Sequence, residues 1–224
     1  MSGSETRWWW VRHAPVPDGG RIYGQRDLDC DCSDAAVFEA LARELPRDAV
    51  WVTSNLVRTH QTAAAILEAM RHAPEGGGPR AVVELAEQHL GDWQGLDRKE
   101  FFASQDRARY PFWYGPAGER APNGESFHDL IARVAIAIET LSEEFAGRDI
   151  VAVTHGGTIR AALAQALRLD PEAALAFTIG NCSLTRIDRL AGNVATHGWR
   201  VGTVNHAPWG RPYAGRPAGH GPVS

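Results

Sequence analysis

The sequence predicts an α/β fold with a mainly parallel sheet, because short apolar runs alternate with helical patterns along the chain. The first apolar run, Trp8–Val11, stops at Arg12 and His13, as a buried strand does where it leaves the core. The clearest helical pattern, Ser126 to Phe145, has apolar residues three or four positions apart and leads into another apolar run, Asp149–Thr154. Alternation of this kind favours parallel strands joined by helices.

The first half of the chain supplies two further strands and two helices. Helical patterning begins near Asp34 and ends at Pro46, and the apolar run Ala49–Thr53 predicts a second buried strand. A helix is predicted from about Leu56 to Arg71, and a third strand over Ala81–Leu85. These elements continue the strand-helix alternation.

The second half contains one segment that periodicity does not assign. His89–Asn123 is aromatic and carries Gly and Pro, and we expect an ordered excursion over a functional site, with a short helix near Arg98–Arg107. A helix from about Thr158 to Leu169 follows the fourth strand. Two more strands are predicted near Ser183–Asp188 and Trp199–Asn205.

Composition excludes several functional classes. The chain has 224 residues and a net charge of −4 with no long basic tract, so a nucleic-acid partner is not expected. No apolar stretch reaches the length of a membrane span, and no secretory segment precedes the first strand, so we expect a cytoplasmic protein. We predict one domain over residues 1–206 and a flexible Gly/Pro-rich tail over residues 207–224. The sequence leaves the oligomeric state open.

The cysteines indicate neither a disulfide framework nor a metal site. There are three, an odd number, and Cys30 and Cys32 lie far along the chain from Cys182. A structural metal site would need a second ligand pair at suitable spacing. We therefore expect structural thiols and no bound metal.

Charged side chains follow four of the predicted strands. Arg12 and His13 follow the first strand, Arg58 the second, Glu87 the third and His155 the fourth. In open α/β sheets, ligands bind at the carboxyl ends of the strands. Arg12 and His13 taken alone could equally mark a cationic strand end that faces water, but convergence of all four segments predicts a phosphate site.

The turn after the fourth strand has the properties of an anion-binding turn. Gly156 and Gly157 let backbone N–H groups approach an anion, and the helix that follows presents its N-terminus there. The alternative is an ordinary glycine-rich turn between strand and helix. Pairing with Arg12 and His13 favours the anion-binding interpretation.

The motifs occur in an order that resembles a known family. They are Arg12–His13, Thr53–Ala63, Leu85–Glu87 with Gly91–Gly95, Pro122–Ser126 and Thr154–Gly157. The chain resembles the histidine phosphatase superfamily, with its phosphoglycerate mutase-like fold, over about residues 7–206. The resemblance implies a three-layer α/β sandwich, with helices on both faces of the mainly parallel sheet.

The resemblance also implies a role for each motif residue. His13 would accept the phosphoryl group, and Glu87 would protonate the leaving alcohol and later deprotonate water. The groups that would hold the phosphate are Arg12, Arg58, His155 and Gly156. The expected substrate is a small phosphorylated metabolite, and no cofactor or metal is implied, because arginines supply the positive charge.

The first motif departs from the family pattern. Ala14 stands where many relatives have Gly, and Gly19 stands about where they have a phosphate-contacting Asn. The loop Gly20–Asp27 is a candidate to replace that contact. The first motif continues as Arg-His-Ala-Pro-Val and is followed by Tyr-Gly-x-x-Asp. This pattern resembles the α-ribazole phosphatase-like branch, which would make α-ribazole phosphate a possible substrate.

Two other functions stay open at this point. A phosphoglycerate mutase would need extra cations over the site, and the excursion offers scattered basic residues: Arg98, Lys99, Arg107 and Arg109. A non-catalytic phosphate-binding module would not need both histidines and a carboxylate. Glu84 competes with Glu87 as the acid but fits the strand pattern, while Trp93 and Trp113 are candidates for pocket lining or packing.

The remaining histidines match none of these motifs. We expect surface or structural positions for His60, His72, His89, His128, His197, His206 and His220.

Overall fold

A computed structural model describes residues 5–72, 77–104, 110, 112–191 and 198–210. Its sheet has six strands: β1 (Thr6–Arg12), β2 (Val50–Thr53), β3 (Arg80–Ala81), β4 (Asp149–Thr154), β5 (Leu184–Arg189) and β6 (Trp199–His206). The strand order is β3-β2-β4-β1-β5-β6. β3, β2, β4 and β1 run parallel, and β5 and β6 are antiparallel to their neighbours. The predicted mainly parallel sheet is confirmed.

Helices cover both faces of the sheet, which confirms the three-layer arrangement. They are α1 (Ala35–Glu44), α2 (Val57–Met70), α3 (Arg98–Ser104), α4 (Phe127–Glu144), α5 (Gly156–Leu167) and α6 (Pro171–Leu175). One apolar core joins the sheet to α1 and α2, and the other joins it to α4 and α5. β1 serves both cores, because Trp8 and Trp10 face the second and Val11 faces the first. Among the described residues, no helix is long and apolar enough to span a bilayer.

The tryptophans of β1 fix the central strand. The rings of Trp8 and Trp10 stack 4.8 Å apart, and Trp8 Nε1 donates to Ser142 Oγ at 2.9 Å. On the opposite face, Trp9 Nε1 donates to Asp149 Oδ1 at 2.8 Å. Replacing a buried Trp by Ala typically costs about 3–5 kcal/mol. The strand that delivers the first motif is therefore held from both sides.

The prediction of a third strand over Ala81–Leu85 is wrong in extent. Only Arg80–Ala81 pairs with β2, and Val83–Leu85 forms a 3-10 helix instead. β3 lies at the sheet edge, and Val83 is 59% exposed, so at Val83 no second neighbouring strand and no core packing favour an extended chain. The turn carries the backbone away from the sheet before Glu87.

The segment from His89 to Asn123 contains more structure than its pattern predicts. It includes a 3-10 helix over Gly91–Trp93 and the helix α3, whose predicted extension toward Arg107 falls on residues outside the described ones. The helix α6, after α5, was not predicted, because five residues are too few for an apolar period. Residues 211–224 of the predicted tail also lie outside the described residues.

The long helix α4 begins where its sequence indicates. Ser126 is its N-cap: its hydroxyl accepts from the backbone N–H of Asp129, and the Asp129 carboxylate accepts from the backbone N–H of Ser126. This reciprocal capping satisfies donors that a helix start leaves free. The turn before it packs under the segment that carries Glu87, since Glu125 N donates to His89 O at 2.7 Å.

Candidate active site

The structure brings the sequence-predicted site residues together at the carboxyl edge of the sheet. Arg12 ends β1 and His13 follows it, while Arg58 lies in the first turn of α2. His155 follows β4 as the N-cap of α5, and its ring centroid lies 5.2 Å from that of His13. The register of the parallel strands causes this convergence, because Arg12 pairs with Thr154.

His13 is a buried, neutral imidazole. Its Nδ1 lies 2.7 Å from the carbonyl oxygen of Ala14, so Nδ1–H donates there and the lone pair of the neutral ring lies on Nε2. Burial, assisted by Arg58 and Arg12, holds the pKa of His13 well below 6.5. The ring therefore carries a free lone pair at neutral pH.

His155 lies beside it in a similar environment. Burial first, then the charge of Arg58 and the neighbouring His13, holds the pKa of His155 well below 6.5. Its Nε2 lies 2.8 Å from Ser54 Oγ, and its Nδ1 is buried with no hydrogen-bond partner in the described part of the chain. If Ser54 donates to Nε2, Nδ1 carries the proton and can donate it to a bound anion.

Arg58 is fully buried and is held by the loop that precedes α1. Its Nη2 donates to Gly24 O at 2.7 Å and its Nη1 donates to Arg26 O at 2.9 Å. The Tyr23 ring lies 5.1 Å from the guanidinium carbon. Burial lowers the pKa of Arg58. The loop Gly20–Asp27 thus lies at the site and orients Arg58, and its replacement of a phosphate contact stays a prediction.

Further cationic side chains lie beside Gly156, the first glycine of the turn after β4. Arg12 Nη1 donates to Ile179 O at 2.6 Å, while its Nε is buried without a partner among the described residues. A Cβ added to Gly156 would lie 3.6 Å from Arg12 Nε and 3.6 Å from Arg160 Nη1. Two guanidinium groups therefore lie over the start of α5.

Glu87 is a buried carboxylate held at the N-terminus of α5. Its Oε1 accepts from the backbone N–H of Gln88 at 3.0 Å, and its Oε2 accepts from that of Gly157 at 3.2 Å. A Cβ on Gly157 would lie 2.2 Å from Glu87 Oε1, so this position requires glycine for the carboxylate to approach. The competing Glu84 lies in the 3-10 turn, half-buried.

Sequence reasoning missed Arg160 as a site residue. Its guanidinium carbon lies 4.9 Å from the ring of Trp113, and its Nε donates to Phe177 O at 2.7 Å. Burial, then the charge of Arg12, lowers the pKa of Arg160 to about 10. The sequence did contain a signal for Arg160, because a residue four positions after Gly156 lies on the same face of the helix. Trp113 lines the site, whereas Trp93 packs against Phe101 at 5.1 Å.

The described residues contain no group of three or more His, Cys, Asp or Glu placed to hold a metal ion. Cys30, Cys32 and Cys182 are free thiols, and the sulfurs of the first two lie 3.6 Å apart. The arrangement therefore presents cationic and neutral donors to an anion, with a single carboxylate beside them. It can bind a phosphate monoester, attack its phosphorus with an imidazole and exchange a proton with its leaving group.

A family model described as "Histidine phosphatase superfamily (branch 1)" matches residues 8–202. The chain belongs to the histidine phosphatase superfamily. It is an enzyme of the phosphomonoesterase type found there, and its sheet matches the phosphoglycerate mutase-like fold of solved structures. Relatives in this superfamily carry both phosphatase and mutase names.

Three histidine phosphatase superfamily relatives show this range. The metal-independent phosphoserine phosphatase of Arabidopsis thaliana is 33% identical over 158 residues, 67% of this chain and 64% of that protein. The 2,3-bisphosphoglycerate-dependent phosphoglycerate mutase 2 of Gloeobacter violaceus is 36% identical over 129 residues, 55% of this chain and 57% of that protein. The solved structure of mycobacterial glucosyl-3-phosphoglycerate phosphatase aligns with 90% of this chain and 99% of that chain, at 28% identity and a TM-score of 0.72.

Proposed function

We propose that this protein is a metal-independent phosphatase that hydrolyses a small phosphomonoester through a phosphohistidine intermediate. The observation that carries the proposal is the 2.7 Å contact between His13 Nδ1 and the carbonyl oxygen of Ala14. The Nδ1–H of His13 is committed to Ala14 O, so the Nε2 lone pair is available on a ring that burial keeps neutral. Arg12 and Arg58 lie near that ring. The Nε of each is buried without a partner among the described residues, so each arginine keeps an N–H group that can donate to a phosphate.

In the first step, His13 Nε2 attacks phosphorus and the bond from phosphorus to the ester oxygen breaks. The phosphoryl oxygens receive hydrogen bonds from Arg12, Arg58 and the Nδ1 of His155, which offset the charge that accumulates on them. The backbone of Gly156 lies at the N-terminus of α5, where a helix favours negative charge. Glu87, in its protonated form, gives its proton to the departing alkoxide.

In the second step, the Glu87 carboxylate takes a proton from water, and the water oxygen attacks phosphorus. The bond to His13 Nε2 breaks, its electron pair returns to the ring, and inorganic phosphate leaves. Both steps use the same carboxylate, which alternates between acid and base. The two hydrogen bonds from Gln88 and Gly157 hold that carboxylate in one orientation for both tasks.

The test is trapping of the intermediate with a radiolabelled phosphomonoester. Label that is acid-labile and stable to base is expected on the wild-type protein and absent from His13→Ala. Phosphate release from p-nitrophenyl phosphate distinguishes the enzyme from a non-catalytic phosphate-binding module. Label that persisted in His13→Ala would place the nucleophile elsewhere. A screen of phosphorylated metabolites that includes α-ribazole phosphate then tests the substrate.

A mutase remains the second candidate, and the phosphoglycerate mutase of Gloeobacter violaceus among the relatives favours keeping it. A mutase returns the phosphoryl group to the bound product, whereas a phosphatase passes it to water. With 3-phosphoglycerate as substrate, we expect inorganic phosphate to form faster than the 2-phospho isomer. The reverse order would favour the mutase.

A further inference from the structure

The segment that carries Glu87 is not held by the sheet. β3 ends at Ala81, and the chain turns through the 3-10 helix Val83–Leu85 before it reaches Glu87. Residues 86–90 belong to no helix or strand. A carboxyl group that transfers a proton has to lie within hydrogen-bond reach of the reacting oxygen. Contacts from other elements therefore have to hold this segment in place.

Arg133, on α4, binds the backbone of this segment. Its Nη1 donates to Glu84 O at 2.6 Å and to Ala86 O at 3.2 Å. Its Nη2 donates to Glu87 O at 3.3 Å. A guanidinium group is rigid and planar, so one side chain fixes the three carbonyl oxygens relative to one another. The last of the three belongs to the proposed acid itself.

Glu125 orients Arg133 and also binds the chain that follows Glu87. Its two carboxylate oxygens accept from Nε and Nη2 of Arg133, each at 2.9 Å, which makes the pair bidentate. Glu125 Oε2 also accepts from His89 N at 2.9 Å, and Gln88 Nε2 donates to Glu125 O at 2.8 Å. The pair of Arg133 and Glu125 therefore contacts the backbone on both sides of Glu87.

Two further contacts keep the segment attached to the rest of the molecule. Thr158 Oγ1, on α5, lies 3.0 Å from Ala86 O and 3.3 Å from Leu85 O. Gln25 Nε2 donates to Glu87 O at 2.8 Å. Because these contacts do not involve Arg133, its removal should let the Glu87 backbone shift without releasing the segment from the core.

We propose that Arg133, oriented by Glu125, is a positioning residue for the proton transfer assigned to Glu87. The described hydrogen bonds of Arg133 go to backbone carbonyls and to Glu125, so it would act through the backbone of Glu87 and not on its carboxylate. This inference rests on the proposed phosphatase function and adds a residue to it. Removal of Arg133 also leaves Glu125 without its partner, which lowers stability. The test therefore needs a readout that lost stability does not change.

The dependence of the rate on the leaving group is such a readout. Phosphoenzyme formation is measured in single turnovers, below the melting transition of each variant, with substituted phenyl phosphates and one alkyl phosphate. A well-placed acid makes the rate nearly independent of the basicity of the leaving group, whereas a displaced acid slows the more basic ones. For Arg133→Gln we expect a loss of about 10- to 100-fold with the alkyl phosphate, up to the size expected for a 1 Å misplacement. The loss with p-nitrophenyl phosphate should be much smaller.

The same chain offers matched controls. Arg120→Gln removes an arginine whose described hydrogen bonds also go to a carbonyl and a carboxylate beside α4, Gly124 O at 3.2 Å and Asp129 Oδ1 at 2.7 Å. It should keep the wild-type dependence on the leaving group. Arg133→Lys keeps the charge but not the planar set of donors and should lie between Arg133→Gln and wild type. Glu125→Gln weakens the pair from the other side and should steepen the dependence in the same direction.

Glu87→Gln is the reference that separates this inference from the proposed function. If the wild type forms no phosphoenzyme, or if Glu87→Gln leaves the dependence flat, the proposed function fails and the inference fails with it. If Glu87→Gln steepens the dependence but Arg133→Gln slows every leaving group by the same factor, only the inference is refuted and Arg133 is structural. Should Arg133→Gln not fold, Arg133→Lys and Glu125→Gln decide, and a wild-type dependence in both refutes the inference.

Discussion

Gly157→Ala tests whether the glycine after Gly156 is needed to admit the carboxylate of Glu87, the proposed general acid. The added Cβ would lie 2.2 Å from Glu87 Oε1 and 3.1 Å from Leu130 Cδ2. Since ordinary contact begins at 3.4 Å, the carboxylate has to recede by about 1 Å, whereas Leu130 has to yield by only a few tenths. The carboxylate is the far end of a flexible side chain, so it is the group that moves.

The expected effect falls on catalysis and not on stability. Ala is favoured over Gly in a helix by up to about 1 kcal/mol, which offsets a similar cost at Leu130. The melting temperature should therefore stay within about 2–4 °C of wild type. A misplacement of about 1 Å in a reacting group can cost about 100-fold in rate. We expect a loss of that size in phosphoenzyme formation from an alkyl phosphate, and a much smaller one from p-nitrophenyl phosphate.

Single-turnover measurement of phosphoenzyme formation with both substrates is the assay. A double-mutant cycle provides the control, because Gly157→Ala should cost little more once Glu87→Gln has removed the acid. The reasoning is refuted if Gly157→Ala slows both substrates equally, or costs the same factor with and without the Glu87 carboxyl group. Either result would mean that Gly157 acts on the phosphate or on the helix and not through Glu87.

Three further predictions follow from the site. Glu87→Gln should slow phosphoenzyme formation from an alkyl phosphate by ~10²–10⁴-fold and from p-nitrophenyl phosphate much less, whereas Glu84→Gln should change little; equal losses for both substrates would make Glu87 structural. Turnover should survive EDTA and be inhibited by vanadate, and activity restored only by a divalent ion would contradict the metal-free mechanism. Burial keeps the pKa of His13 and His155 below 6.5, so the unfolded chain binds more protons below that pH. Chemical denaturation should therefore show full stability above pH 6.5 and a decline on acidification that His155→Gln reduces; an unchanged decline would contradict this assignment.

The sequence predicts the part of the site that depends on parallel strands. An apolar run in the sequence indicates a buried strand, and the end of the run indicates where that strand reaches the edge of the sheet. The positions of His13 and His155 could therefore be predicted from the sequence immediately before them. The sequence places Glu87 at the same edge of the sheet, where the structure also has it, although the strand predicted before it is longer than the observed one. The edge position of β3, which sequence periodicity does not report, turns the chain into a 3-10 helix before Glu87.

The part that could not be predicted depends on contacts between distant segments. Trp113 meets Arg160 only because the excursion folds back across the start of α5, and no local period encodes that path. The same holds for the carbonyl groups of Gly24 and Arg26 that orient Arg58. Backbone acceptors carry no residue-type signal, so a sequence pattern reveals the arginine but not what holds it.

Burial and the neighbouring positive charges together keep the two histidines of the site neutral. Burial is the largest cause that lowers the pKa of His13, His155, Arg58 and Arg160, and the positive charge of Arg12 lowers each of them further. The sheet and its two cores hold these groups together despite their repulsion, which is the preorganisation that electrostatic catalysis needs. In the proposed mechanism, a phosphate dianion would relieve this repulsion when it binds. Because the fold itself concentrates this positive charge, the proposed phosphoryl transfer would use arginines in the role that metal ions fill in other phosphoryl-transfer enzymes.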